Sequence, residues 1–438
     1  MLTRNNETRG ASLLRKFVVL VLMAGYISSV SAITLGEAVR ATLSTNPDIA
    51  ASRQSAEAQS FLARQSKAGI YPSIEIGLAG GWEQSNNTTT RATGVESLDL
   101  SRTEKSIRLT QRLFDGFSTR GLIKQQASLT EAALARQTNT EEAVSLRAVQ
   151  VYLEMLRRGS VVALGEENLQ HHDTTLTKIS ERYESGVGTR VDVVQTEGRR
   201  AQSKSNVLLA KRDVANGRAE FYRVIGEQPV NLSLPDNASG LPSTLTQALT
   251  IAEDNNPELE AAQAEYDAAV SADKSARGNK YPRIDLELGA TRNDDTDGTI
   301  GANDDVTAMV RLTYNLYKGG AEKARRSEAS ARMMAAQESL RGAQRELDED
   351  VTTVWNELQD ILVRLEYLEA HVASTEEVLQ VYNEQLSLGK RTLLDLLDVQ
   401  NELLRAKVAL TAGQFSARFA RYRLLASTGQ LLENLNGQ

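Results

Sequence analysis

Two hydrophobic periods alternate along this chain. A period of two comes first. Ile74, Ile76 and Leu78 alternate with Glu75, Gly77 and Ala79, and later Ile107, Leu109 and Leu113 alternate with Arg108 and Arg112. The pattern returns as Ile284, Leu286 and Leu288 against Asp285, Glu287 and Gly289. It closes with Val306, Ala308, Val310, Leu312, Tyr314 and Leu316 against Thr307, Arg311 and Asn315. Side chains switch face at each residue of a strand, so each run predicts a strand with one apolar and one polar face. Residues 86–90 and 293–298 are polar and rich in turn formers, so each half holds one hairpin, about 72–114 and about 282–317.

A longer period takes over after each hairpin. Leu347, Val351, Val354, Leu358, Ile361, Leu365, Leu368, Val372, Thr375, Leu379, Tyr382 and Leu386 are spaced alternately by four and three. A sustained heptad of this kind predicts a helix packed along its length in a coiled coil. The first half carries a weaker version in Val144, Ala148, Val151, Met155 and Val162. All seven prolines fall at 47, 72, 229, 235, 242, 257 and 282, so 73–228 and 283–438 contain none. Proline inside a helix costs about 3 kcal/mol. The spacing therefore predicts very long helices over about 117–184 and about 320–387.

Each long helix ends on the same phrase, G-x-x-T-x-x-D: Gly186 to Asp192 and Gly389 to Asp395. Glycine suits the left-handed residue past a helix end, and Thr followed three residues later by Asp suits the next N-cap. Each copy predicts a tight turn (185–191 and 388–394) between antiparallel helices, with returning helices to about Val224 and about Ala426. The two turns belong to an internal duplication. Asn46-Pro47 and Tyr71-Pro72 return as Asn256-Pro257 and Tyr281-Pro282 at an offset of 210, and Arg108-Leu109-Thr110 as Arg311-Leu312-Thr313 at 203. The expected layout is a first repeat over 33–233, a linker over 234–243 marked by Pro235 and Pro242, and a second repeat over 244–438.

Composition adds to this picture. Arg4, Arg9, Arg15 and Lys16 precede an apolar run from Phe17 to Ile27, and Val30-Ser31-Ala32 follows, which predicts a secretory signal peptide over 1–32. No later segment reaches 18 consecutive apolar residues, so any membrane entry is by strands. There is no cysteine, which rules out disulfides, thiolate metal sites and a lipid on an N-terminal Cys. The net charge of −7 gives no hint of nucleic-acid binding, and no catalytic, cofactor or metal-ligating constellation is legible. The aspartates at 294, 295, 297, 304 and 305 lack the spacing of a calcium loop and predict a solvated outer loop.

Four strands with an apolar outer face do not close a barrel alone, and open edges are not tolerated in lipid. The barrel must be shared between copies, and the helices carry the chain roughly 100 Å away from it. A soluble periplasmic coiled-coil adaptor explains the heptads but not the two matched hairpins.

On the two Asn-Pro and Tyr-Pro phrases, Leu113-Phe114-Asp115-Gly116, Leu316-Tyr317-Lys318-Gly319 and the two tip turns, the sequence resembles the TolC family of outer-membrane channels. The resemblance implies a homotrimer with a twelve-stranded β-barrel in outer-membrane lipid and a periplasmic tunnel of α-helical coiled coil. It also implies docking on an inner-membrane ABC or other transporter through a periplasmic adaptor, with protein or small-molecule cargo. The absence of cysteine and the Leu-Phe-Asp-Gly and Leu-Tyr-Lys-Gly-Gly phrases look more like type I protein secretion members than drug-efflux members.

The resemblance also implies roles at the tip. Asp395 and Asp398 would form carboxylate rings that narrow the pore. Arg391 would bond Asp192 on the neighbouring helix pair and hold the tip closed, although Leu386 stands where an aromatic partner is usual. Gly186, Val187, Thr189, Leu388 and Gly389 would face the adaptor. The residues themselves admit a plainer reading: Asp192 and Asp395 as capping acids, the others as turn residues.

Overall fold

The computed structural model describes residues 32–436. The signal peptide read over 1–32 lies, apart from Ala32, outside the described residues.

The two halves run through the same elements apart from one short helix in each. The first holds α1 (Leu35–Thr45), α2 (Pro47–Lys67), β1 (Ser73–Ser85), the short α3 (Thr88–Ala92), β2 (Leu98–Phe114), α4 (Ser118–Glu184) and α5 (Arg190–Ile225). The second holds α6 (Leu245–Asn255), α7 (Pro257–Gly278), β3 (Arg283–Thr296), β4 (Thr299–Thr313), α8 (Ala321–Ser387) and α9 (Leu393–Ser427), then a short α10 (Leu431–Asn436). The sequence pattern did not indicate α10. α4 and α8 each hold 67 residues, about 100 Å at 1.5 Å per residue. Near the sheet α4 packs on α2 and α7, and α8 on α7; towards the tip each packs on its returning helix, α5 or α9.

The strands form one antiparallel sheet in the order β1-β2-β3-β4. Ile74 pairs with Leu109, Leu109 with Leu288, and Leu288 with Ala308, so one face carries a continuous apolar row. The next rows, Glu75–Arg108 and Arg112–Asp285–Arg311, carry charge to the other face. The apolar face is open: Ile76 is 71 % exposed, Leu78 76 % and Val306 85 %. The opposite face is cross-linked by ion pairs, with Arg311 bidentate on Glu287 at 2.7 and 2.9 Å and Arg283 on Asp285 at 2.7 Å. Strands of 13 to 17 residues exceed the roughly 9–11 that a tilted strand needs to cross a bilayer.

The hairpin ends differ from the sequence pattern. The segment 293–298 is not a loop. β3 continues to Thr296, and Asp297 (φ 54°) and Gly298 (φ 77°) alone turn the chain, the Asp-Gly pair supplying a tight two-residue turn. A bulge at Asp295 (φ 56°) accommodates it. The first hairpin instead folds α3 into its loop, capped by Asn87, whose amide donates to Asp297 O at 2.8 Å. β4 stops at Thr313, short of Leu316, because two left-handed glycines, Gly319 and Gly320, turn the chain into α8. Gly116 makes the corresponding turn before α4. A Cβ there would lie 2.2 Å from the Gly278 carbonyl oxygen, so only glycine fits.

The largest core gathers Leu35, Tyr152, Phe221, Tyr422, Leu425 and Leu431, joining α1, α4, α5, α9 and α10. The Tyr152 hydroxyl lies 2.7 Å from both the Ile33 and Ser233 carbonyls, which pins the two ends of the first repeat to α4.

Candidate functional site

The tip is built from two helix reversals with matching backbone. Gly186 (φ 78°) and Gly389 (φ 71°) stop α4 and α8. The Val187 N–H then donates to Arg182 O, and the Lys390 N–H to Gln385 O, each at 2.9 Å. Thr189 and Thr392 cap the returning helices. In each, the hydroxyl accepts the N–H of the acid three residues on and donates to its carboxylate at 2.8 Å. Those acids are Asp192 and Asp395. The hydrogen bonds from Thr392 hold the Asp395 carboxyl below the usual carboxylate range.

Arg391 occurs only in the second turn. Its guanidinium lies over the Tyr382 ring, 4.4 Å from the centroid, donates to Gln385 Oε1 at 3.2 Å and stands 3.8 Å from Asp395. The aromatic surface absent at Leu386 is therefore supplied by Tyr382, one turn earlier on α8. Within the chain, among the described residues, Arg391 and Asp192 form no ion pair, because each is held in its own turn.

Asp395 and Asp398 do not act alike. Asp395 turns back to its cap, whereas Asp398 on α9 accepts from Arg199 of α5 at 2.7 Å. Arg199 was missed from sequence because it stands 199 residues away. Its neighbour Arg200 turns the other way, to Asp173 of α4.

Below the turns the two helix pairs are joined by an apolar cluster of Ile179, Leu393 and Leu397. Arg182 donates to Leu386 O at 3.2 Å, and Lys407 bridges Glu167 (3.0 Å) and Glu376 (2.9 Å). Between these lies a polar layer in the α4 seam. Asn168 bonds Ser203, and Gln400 bonds Thr175, both at 3.1 Å. His172 is fully buried among them, and neither of its ring nitrogens has a hydrogen-bond partner among the described residues. Burial pushes its imidazole below the usual range, and the positive charge of Arg199 adds to that. The weak heptad read in α4 ends at Val162, before this layer, and carried no signal for it.

Gly186, Val187, Thr189, Leu388 and Gly389 are all exposed at the tip. Val187 is 71 % exposed and Leu388 68 %, with Val191 and Val194 beside them on α5.

Residues 38–227 and 248–430 match the family model described as outer membrane efflux protein. The outer membrane efflux protein BepC of Brucella suis is 27 % identical over 326 residues, covering 74 % of this chain and 72 % of BepC. The outer membrane protein TolC of Escherichia coli is 22 % identical over 426 residues, covering 94 % and 85 %. The alkaline protease secretion protein AprF of Pseudomonas aeruginosa is 23 % identical over 408 residues, covering 89 % and 83 %. Among solved structures, the outer-membrane channel OprN superposes with a TM-score of 0.80 at 18 % identity, over 90 % of both chains.

Proposed function

The chain belongs to the outer membrane efflux protein family, and from that premise we propose that it is the exit duct of a type I protein secretion system. It is an outer-membrane channel with a long periplasmic helical extension. The observation that carries the proposal is the joining of an open-edged sheet, apolar on its exposed face, to helices about 100 Å long. Among the described residues, β1 and β4 are unpaired on their outer sides. Three copies joined edge to edge would give twelve strands and leave no edge in lipid. The same operation would gather the tips around one axis.

In that assembly Asp395 and Asp398 form the constriction, and Arg391 reaches Asp192 on a neighbouring helix pair to hold it closed. Gly186, Val187, Thr189, Leu388 and Gly389 form the face that meets a periplasmic adaptor, which connects to an inner-membrane ABC transporter. Support for secretion comes from the absence of cysteine in the sequence and from the likeness to AprF, which is named for protease secretion. The likeness to BepC, named for efflux, favours a second reading as the outer component of a small-molecule pump.

A deletion strain separates the two. Loss of a protein from the culture supernatant with unchanged drug tolerance supports secretion; drug sensitivity with an intact secretome supports efflux. Membrane fractions test the assembly. An SDS-resistant, heat-dissociable trimer in the outer membrane is expected, and a monomer in the soluble periplasmic fraction refutes the shared barrel.

A further inference from the structure

We propose that Arg199 is the counter-charge of the constriction and so determines the ion selectivity of the closed channel. The proposal rests on the reading of Asp398 as a pore residue, and it assigns a role to a residue outside both tip turns. Arg199 Nη2 lies 2.7 Å from Asp398 Oδ1, and the two side chains remain 41 % and 60 % exposed. The pair is wet and addressable rather than part of the core.

Arg199 has little else to do. Arg200 already supplies the bond from α5 to Asp173 of α4. Arg199 is also close enough to the buried His172 for its charge to oppose protonation of the ring, which offers no negative charge in return. Asp173 of α4 is occupied by Arg200. The charge of Arg199 is therefore directed across to α9.

The duplication makes this arrangement occur once per chain. At the offset of 203, Asp398 corresponds to Gln195 and Arg199 to Glu402, so the equivalent position holds an amide and an acid. Asp395 also stands near a guanidinium, that of Arg391 at 3.8 Å. Each chain thus brings the Arg199 guanidinium to the constriction with its carboxylates, where a bare acidic ring would bring carboxylates alone. A carboxylate paired at contact distance presents a dipole to a passing ion. At about 0.1 M salt the screening length is about 10 Å, so fixed charge at a narrow ring governs which ion enters.

The test is the reversal potential of the purified full-length channel in planar bilayers under a KCl gradient below about 0.1 M. Arg199→Gln is expected to raise the potassium-over-chloride permeability ratio roughly two- to tenfold. Asp398→Asn, which leaves the Arg199 charge unpaired, is expected to lower it, and the double variant, which removes both charges, to return it towards the native ratio. Arg199→Lys should keep the native ratio, which separates charge from packing. Arg199→Met, which keeps the apolar stem, takes the place of the Gln variant if that one yields no channels. An altered ratio in Asp398→Asn with none in Arg199→Gln overturns the role of Arg199 and leaves the pore reading standing. No change in either variant overturns the pore reading itself.

Discussion

The side-chain amide of Asn46 donates to the carbonyl oxygen of Val224 at 3.3 Å, while its own carbonyl oxygen accepts the Asp48 N–H at 2.9 Å. One side chain therefore caps the start of α2 and satisfies a carbonyl at the end of α5. The second half repeats the joint: Asn256 donates to Ser427 O at 3.3 Å and caps α7 through Glu258. A helix start and a helix end meet without exposing their free backbone groups. Asn46→Ala or Asn256→Ala should cost about 1–2 kcal/mol, the range for a lost cap. Asp at either position restores the cap without the amide donor and should fall between. The thermal midpoint of the helical circular dichroism signal reads this, and an unshifted midpoint in both Ala variants rejects the joint.

The Arg391–Asp192 link predicts a leak. An exposed ion pair contributes about 0.2–1 kcal/mol, so three copies are weak enough for a docking partner to overcome. Arg391→Ser and Asp192→Ala should each raise single-channel conductance in bilayers. Tyr382→Leu should raise it less, since it removes only the ring beneath the guanidinium, worth about 0.5–1 kcal/mol. Native conductance in the Ser and Ala variants discards the link.

Glu142 predicts an alkaline weakness. It is 6 % exposed, its Oε1 accepts the Leu432 N–H at 3.2 Å, and burial pushes its carboxyl up to about 7 despite that bond. The folded chain holds this proton more tightly than the unfolded chain, where the group titrates near 4.5. The stabilisation is complete below about 4.5 and is lost as pH rises through about 7, at 1.36 kcal/mol per unit, so about 3 kcal/mol in all. Glu142→Gln should abolish the fall in thermal midpoint between about pH 5 and pH 8. A wild-type midpoint that does not fall over that range contradicts the assignment.

His172 predicts the opposite dependence. Burial holds its imidazole below the ordinary 6.5, with Arg199 reinforcing and Asp173 opposing. The unfolded chain therefore takes up the proton first, and stability is lost as pH falls below about 6.5. His172→Leu should remove that acid-sensitive component. A variant that loses as much midpoint as the native channel between about pH 7.5 and pH 5.5 shows that the ring does not carry it.

The four strands, the two 67-residue helices and both tip turns are written locally. Alternation selects the faces of β1 to β4, the proline-free stretches allow α4 and α8, and Gly186 and Gly389 stop them. Turn chemistry was legible too, yet the Asp297-Gly298 pair was passed over inside a longer polar run.

The candidate site divides along the same line. Which residues sit at the tip follows from the chain itself, because a helix stop and an N-cap are made by residues three or four apart. What those residues touch does not. Asn168 and Thr175 stand in α4 beyond the apolar series that ends at Val162, and Ser203 and Gln400 reach them across the packing, whereas His172 between them has no hydrogen-bond partner among the described residues. Arg199 meets Asp398, and Arg391 rests on Tyr382. Sequence by itself determined backbone, faces and repeats, all set by short-range sterics and hydrogen bonds. Only the tertiary structure decided the polar partners, because the relative register of distant helices brings each donor within reach of its acceptor.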